Sequence, residues 1–182
     1  GTGSYILDLV AKTPVAEIHL FDGDDFLQHN AFRAPGAPTK EELNESKKKT
    51  NYFHDIYKNM HKNIISHGEY VDEENINNLL TMDFVFICID TGAIKKEIVS
   101  LLVEKNIPFI DTGIGVNVAE SSLIGTVRVT LSTPSKSDHL KNRISFNNNE
   151  EDDEYSTNIQ IAELNALNAS LAVIKWKKYI GF

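Results

Sequence analysis

A segment near the start of the chain concentrates side chains that can bind a nucleotide. The strand-like run 15–21 is followed by a set of polar residues, Asp22, Asp24, Asn30 and Arg33. In an open α/β domain the carboxyl ends of the strands meet at one crevice, so polar side chains just after a strand lie where ligands bind. Asp22 therefore suits the hydroxyls of a ribose. Asn30 and Arg33 can supply an amide and a planar, permanent cation to a triphosphate.

A second acidic residue follows another strand. The apolar run 84–89 is typical of a strand that is buried on both faces of a parallel sheet, and Asp90 follows it. Asp90 is then expected at the same crevice as Asp22. Because Mg²⁺ usually takes one or two protein carboxylates together with substrate phosphates, we predict that Asp90 is a Mg²⁺ ligand.

The chain opens on Gly1-Thr2-Gly3-Ser4, directly before a helical apolar pattern. Glycines in a turn before a helix can hold phosphate at the helix N-terminus, with a ribose-binding acid about 20 residues later. Gly-x-Gly alone is a weak signal, but Asp22 lies 19 residues after Gly3. The strand that normally precedes such a turn is missing. We therefore expect that the chain starts inside a larger polypeptide.

The remaining pattern predicts a single α/β domain over residues 1–182. It is a Rossmann-like three-layer sandwich whose sheet is mostly parallel, with antiparallel strands toward the C-terminal part. Strands are predicted at 15–21, 64–71, 84–89, 107–111 and 123–131, and helices at 5–12, 72–80, 93–105 and 159–179. Residues 34–50 are predicted to be an exposed loop that runs into a further helix, whose apolar stripe is Tyr52, Phe53, Ile56, Tyr57 and Met60. The last helix carries a second stripe: Leu164, Leu167, Leu171 and Ile174. Residues 132–158 are predicted to be a polar and acidic insertion loop.

Composition narrows the functional class. The 182 residues carry a net charge of −8, so no global basic field favours nucleic acid or an anionic membrane. No apolar run approaches the roughly 18 residues that cross a bilayer, and no signal peptide opens the chain. We expect a soluble, cytoplasmic protein. The single cysteine, Cys88, permits neither an internal disulfide nor a four-cysteine zinc site.

Together these motifs resemble the ThiF/MoeB/ubiquitin-activating-enzyme family of adenylyltransferases, over nearly the whole chain. The resemblance rests on Gly-Thr-Gly-Ser before a helix, Asp22-x-Asp24, Asn30-x-x-Arg33, a downstream lysine and Asp90 after an apolar strand. The strings His-Leu-Phe-Asp-Gly-Asp and Gln-His-Asn-Ala-Phe-Arg-Ala-Pro-Gly-Ala are similar to a bacterial ThiF-domain group with extra sequence before this domain.

The resemblance implies that the chain uses ATP and Mg²⁺ to adenylate a ubiquitin-fold acceptor protein at the carboxylate of its C-terminal Gly-type tail. It implies that Gly1 and Gly3 end the Gly-rich loop, that Asp22 and Asp24 lie at the nucleotide and that Asp90 is associated with Mg²⁺. Asn30 and Arg33 would contact phosphate. Three adjacent lysines, Lys47, Lys48 and Lys49, compete for one phosphate-binding position, and we choose Lys49, then Lys48. Homodimerisation is also implied.

Cysteine usage departs from part of the family. Members that form a thioester place a nucleophilic cysteine after the last parallel strand, but residues 112–182 contain none. Cys88 lies inside an apolar run and is expected to be a small buried hydrophobe. The domain is thus expected to stop at the acyl-adenylate or to use a cysteine elsewhere. The zinc-binding cysteine pairs of many members are absent too, so we predict no zinc.

Two other functions remain open at this point. A Rossmann oxidoreductase would use Gly-x-Gly and a ribose-binding acid for NAD(P), although Asn30, Arg33 and Asp90 would then be unnecessary. A non-catalytic nucleotide-binding or dimerisation module would fit the lack of a nucleophilic cysteine in residues 112–182. The role of Asp111, which ends a strand, stays undecided between a crevice ligand and a loop cap.

Overall fold

The fold is known from a computed structural model, which describes residues 1–89, 92–119, 122–146 and 161–181. The strands are β1 (Ile18–Phe21), β2 (Ile64–His67), β3 (Val85–Ile87), β4 (Phe109–Ala119) and β5 (Ser122–Ser132). The α-helices are α1 (Thr2–Val10), α2 (Gln28–Ala31), α3 (Lys40–Asn44), α4 (Lys49–Tyr57), α5 (Ala93–Glu104) and α6 (Ala162–Ile180). Short 3-10 helices span Ile76–Thr81 and Leu140–Asn142.

In the described part of the chain these strands form two sheets. β1 and β2 pair in parallel, and β3, β4 and β5 form the second sheet in that order. β3 is parallel to β4, whereas β4 and β5 form an antiparallel hairpin. The predicted fold class, an α/β domain with parallel strands first and antiparallel pairing toward the C-terminal part, is confirmed.

Alternate residues of the second sheet face opposite helical layers, as strand geometry requires. Val85, Ile87 and Phe109 pack with the buried side chains of α5. Phe86 and Ile110 point the other way and pack with α1 and α6. The sheet therefore lies between two helical layers, and its two faces carry separate hydrophobic clusters.

The strand predicted at 107–111 is longer in the structure. β4 begins at Phe109 and continues to Ala119, because each residue from Phe109 onward has a partner on β5. The sequence pattern ended the strand early because Gly113 and Gly115 resemble loop residues. In the hairpin, Arg128 and Thr126 of β5 cover those two glycines.

The apolar stripe predicted for the last helix is on the wrong face. Leu167, Leu171 and Ile174 are exposed, whereas the buried face of α6 is formed by Asn165, Asn168, Ala169, Ala172, Val173 and Trp176. Two contacts explain this register. Thr2 Oγ1 donates to Asn165 Oδ1 over 2.9 Å, and Asn168 Nδ2 donates to the Gly113 carbonyl over 3.1 Å. The small alanines allow the helix to approach the core closely.

Two smaller predictions need correction. In α4 and the turn after it, Tyr52, Phe53 and Tyr57 are buried as predicted, but Ile56 and Met60 are exposed. The predicted insertion loop 132–158 is only partly described, and its described part is mostly turns with exposed side chains, although two apolar residues reach the core. Leu140 and Ile144 are buried in the cluster that contains α5, while 147–158 lie outside the described residues.

A gap separates the two sheets. Among the described residues β1 pairs only with β2, and β3 only with β4. The prediction that 84–89 is buried on both faces is accordingly wrong, because Phe84, Val85 and Phe86 are only half-buried. Within the described ranges, no helix is long and apolar enough to cross a membrane.

Candidate active site

The gap opens into a cavity of about 1440 Å³ that extends across the carboxyl ends of β1 and β3. Its apolar walls come from β1, β3 and the inner face of α1. Its polar wall includes most of the nucleotide-site residues predicted from the sequence: Gly1, Gly3, Asp22, Asp24, Asn30, Arg33 and Lys49. The fold thus brings these residues, which span 49 positions of sequence, into one cavity.

The N-terminus of α1 faces this cavity. Gly1 is the N-cap, and the Ser4 hydroxyl donates to its carbonyl over 2.7 Å. Gly3 packs against the end of the next strand: a β-carbon at Gly3 would lie 3.4 Å from Cys88 Cβ. The unpaired N–H groups of a helix N-terminus and its dipole favour an anion at this point.

Two cations lie beside this helix end. The side chains of Arg33 and Lys49 line the same cavity as Gly1, and both act electrostatically on the position of Gly1. Positive charge beside a helix N-terminus favours an anion there.

Lys49 lies between the two acids that follow β1. Its Nζ forms an ion pair with Asp24 and lies 3.5 Å from Asp22 Oδ2. Tyr70, from the loop after β2, donates its hydroxyl hydrogen bond to Asp24. Burial alone would raise the pKa of Asp24, but the hydrogen bonds from Lys49 and Tyr70 outweigh it and lower that pKa below its usual value. Tyr70 also packs on Gly23 and was not predicted from the sequence.

Lys48 points away from the cavity. Its Nζ donates to the Gly23 carbonyl over 2.8 Å and lies 2.9 Å from Asp25 Oδ1. Lys47 pairs with Glu45 and Asp55 instead. Of the three adjacent lysines, Lys49 is the one whose side chain lies with the other cavity residues.

Asn30 and Arg33 are three residues apart, and both line the cavity. The Asn30 side-chain oxygen accepts a hydrogen bond from Leu27 N over 2.9 Å, which leaves its NH₂ group available to a ligand. Arg33 Nε is buried and has no hydrogen-bond partner among the described residues. A buried guanidinium nitrogen without a partner, on the polar wall of the cavity, fits an anionic ligand such as a phosphate.

Cys88 opens onto the cavity, contrary to the expectation of a buried hydrophobe. The protein around the thiol nevertheless removes bulk solvent and raises its pKa to about 11. A thiol of this kind is a poor nucleophile at neutral pH. Asp90, predicted to bind Mg²⁺, lies outside the described residues. Elsewhere in the described chain, no group of three or more His, Cys, Asp or Glu side chains could hold a metal ion.

A buried ion network on the far side of β3 was not predicted. Lys95 Nζ lies 2.7 Å from Asp111 Oδ1, and Arg128 Nη2 donates to Asp111 Oδ2 over 3.0 Å. Asp111 is therefore an internal ion-pair partner and not a loop cap. A signal was available: Lys95 occupies the same helical face as Ile98, Val99 and Leu102, where a lysine must be buried with a partner.

Comparison with known proteins decides the family. A model of the ThiF family matches residues 1–180. The chain belongs to the ThiF family. No curated protein matches this ThiF-family chain.

Solved structures share the fold of the ThiF-family chain. They include MccB of E. coli with AMPCPP and MccA (TM-score 0.65, 15% identity, 99% of this chain and 53% of that chain). PaaA has a TM-score of 0.65 and 17% identity, with 100% of this chain and 61% of that chain covered. The E. coli tRNA N6-threonylcarbamoyladenosine dehydratase TcdA has a TM-score of 0.70 and 15% identity, with 98% of this chain and 81% of that chain covered. The chain spans little more than half the length of MccB.

Proposed function

We propose that the domain is an ATP-dependent adenylyltransferase that activates a carboxylate. The observation that carries the proposal is Arg33 Nε, which has no hydrogen-bond partner among the described residues and lies in the same cavity as the α1 N-terminus and Lys49. Two cations and a helix N-terminus suit a triphosphate better than the two phosphates of NAD. The family match supports the same reading, and the oxidoreductase alternative is not favoured.

The proposed reaction needs alignment more than side-chain chemistry. A carboxylate oxygen attacks the α-phosphorus, the new O–P bond forms, the bond to the β-phosphate oxygen breaks and pyrophosphate leaves. The carboxylate is already ionised at neutral pH, so no general base is required. Arg33 and Lys49 would stabilise the charge that develops on the phosphate oxygens. Mg²⁺, when bound through Asp90, would neutralise part of the same charge.

The proposed substrate is the C-terminal carboxylate of a ubiquitin-fold or sulfur-carrier protein with a Gly-type tail. MccB, a structural relative, has been solved with AMPCPP and MccA together, which supports a macromolecular substrate beside the nucleotide. The high pKa of Cys88 favours a reaction that stops at the acyl-adenylate. We also propose a cytoplasmic homodimer without zinc, to be tested by the mass in solution and by metal analysis.

We further propose that a strand formed by residues preceding Gly1 completes the domain. Within the described ranges, the edges of β1 and β3 on either side of the gap pair with no strand, and the side chains that line the gap are largely apolar. An unpaired strand edge readily accepts another strand. A strand placed there would run straight into the Gly1–Ser4 turn and bury Cys88.

Nucleotide binding tests the first step of this function. Calorimetric titration should show that the protein binds ATP and that Arg33→Ala weakens binding by about tenfold or more, since a hydrogen bond to a charged group contributes about 1.5–3 kcal/mol. Arg143→Ala changes an exposed arginine outside the cavity and should leave binding unchanged. Binding of NAD(H) without binding of ATP would contradict the proposal. Equal ATP affinity of Arg33→Ala and the unmodified protein would favour a non-catalytic module.

A further inference from the structure

Arg128 lies in the cavity wall formed by the β4–β5 hairpin, across β3 from the cluster of Arg33 and Lys49. Its side chain is 35% exposed, and its guanidinium lies over Gly113, the residue opposite it on β4. A β-carbon at Gly113 would lie 2.7 Å from Arg128 Nη2. Glycine at this position is therefore what allows the guanidinium to lie across β4.

The guanidinium is held by a rigid support. Arg128 donates to Asp111, which is fully buried and also pairs with the fully buried Lys95. Lys95 in turn donates to the Ile89 carbonyl over 3.0 Å, at the end of β3. This network joins α5, β3, β4 and β5, so it fixes Arg128 relative to the carboxyl end of β3.

Most of the hydrogen-bonding capacity of Arg128 remains unused. A guanidinium has five N–H donors. In the described part of the chain only Asp111 accepts from Arg128, and its buried Nε has no partner. A fixed arginine with free donors in the wall of a cavity is suited to an anionic oxygen of a ligand.

The geometry of the proposed reaction indicates which ligand anion Arg128 would bind. In-line displacement places the attacking oxygen and the leaving pyrophosphate on opposite sides of the α-phosphate. Arg33 and Lys49 line the cavity near the end of β1, whereas Arg128 lines it from the β4–β5 hairpin. If Arg33 and Lys49 hold the phosphates, Arg128 is thus available to a carboxylate that approaches from the other side. Resting on the function proposed above, we propose that Arg128 binds the substrate carboxylate and that Asp111 and Lys95 position it.

The test uses two synthetic peptides that end in Gly-Gly, one with a free carboxylate and one with a C-terminal amide. Their affinities are measured by calorimetry on the full-length protein saturated with AMPCPP. The carboxylate peptide should bind about tenfold more tightly or better, as expected for a charge-assisted hydrogen bond. Arg128→Gln should reduce this preference to about twofold or less, while the affinity for AMPCPP stays unchanged.

Two more variants keep the test decisive. Gly113→Ala displaces the guanidinium without removing its charge and should also reduce the preference, whereas Arg143→Gln should not. The absence of a carboxylate preference in the unmodified protein, or its retention in both cavity variants, would overturn the proposal. Weaker AMPCPP binding in Arg128→Gln would assign the residue to phosphate instead. Failure of the unmodified protein to bind AMPCPP would refute the proposed function itself.

Discussion

Lys95 Nζ lies 2.7 Å from Asp111 Oδ1, and both side chains are fully buried. Removal of one partner from a buried ion pair leaves an uncompensated charge and typically costs about 3–5 kcal/mol. Lys95→Met should therefore lower the free energy of unfolding by about 3 kcal/mol, as measured by urea denaturation. The exposed neighbour provides the control: Lys96→Met should change stability by about 0.5 kcal/mol or less. Equal effects of both substitutions would show that the pair does not stabilise the fold.

The adjacent lysines give a second prediction. Lys49 lies in the cavity beside Asp22 and Asp24, whereas Lys48 holds the loop at Gly23 and Asp25. Lys49→Gln should weaken ATP binding by about tenfold, since it removes the cation that we propose contacts phosphate. Lys48→Gln should change it by less than about threefold. The reverse order in a nucleotide titration would transfer the phosphate-binding role to Lys48.

The pKa of Cys88 predicts an unusual pH profile for its alkylation. Only the thiolate form of a cysteine is alkylated, so the alkylation rate is proportional to the ionised fraction of the thiol. For Cys88 the pKa that sets this fraction is about 11. Alkylation by iodoacetamide should keep rising beyond pH 10, where an ordinary cysteine has levelled off. The chain unfolded in urea supplies the comparison and should level off near pH 10. A native profile that also levels off there would contradict the raised pKa.

The same shift has a consequence for stability. Because the folded state raises the pKa of this acid, the unfolded chain releases the proton first as the pH rises. The neutral thiol therefore contributes fully to the free energy of unfolding below the ordinary cysteine pKa of about 8.5, and this contribution is lost as the pH rises toward 11.

Cys88 is also a reporter for the proposed additional strand. In the chain that begins at Gly1 the thiol opens onto the gap, whereas a strand between β1 and β3 would cover it. The full-length protein should react with a thiol reagent at least about tenfold more slowly than the chain that begins at Gly1. Hydrogen exchange should slow in parallel at the amides of β1 and β3.

A cysteine placed on an exposed surface controls for reagent access. Ser46→Cys in a Cys88→Ser background should react at the same rate in both chains. Equal rates for Cys88 in the two chains would rule out the additional strand. Protection that depends on protein concentration, with a doubled mass, would instead assign the gap to a second copy.

The sequence predicts those features that depend on local pattern. The helix that begins near Gly3, the strand before Asp22 and the apolar strand before Asp90 are marked by neighbouring residues, and this local order allowed the family resemblance to be read. The buried face of α6 could not be found in this way, because its leucines offer a better apolar stripe than the face that packs. Contacts of Asn165 and Asn168 with distant residues decide the register.

The partners in the ion network behind the site could not be found from the sequence for the same reason, although the helical face of Lys95 indicates its burial. Lys95, Asp111 and Arg128 are separated by 16 and 17 residues, and they meet only because β4 pairs with both β3 and β5. Tyr70 likewise reaches Asp24 because β1 and β2 end side by side. Strand pairing, which spacing does not reveal, creates both contacts.

Pyrophosphate exchange tests the central claim most directly. The full-length protein is incubated with ATP, Mg²⁺, labelled pyrophosphate and a panel of ubiquitin-fold proteins that end in glycine. Adenylation of a carboxylate predicts that at least one acceptor supports incorporation of label into ATP, and that Arg33→Ala abolishes it while Arg143→Ala does not. Stable binding of such an acceptor to the ATP-loaded protein without any exchange would contradict the account.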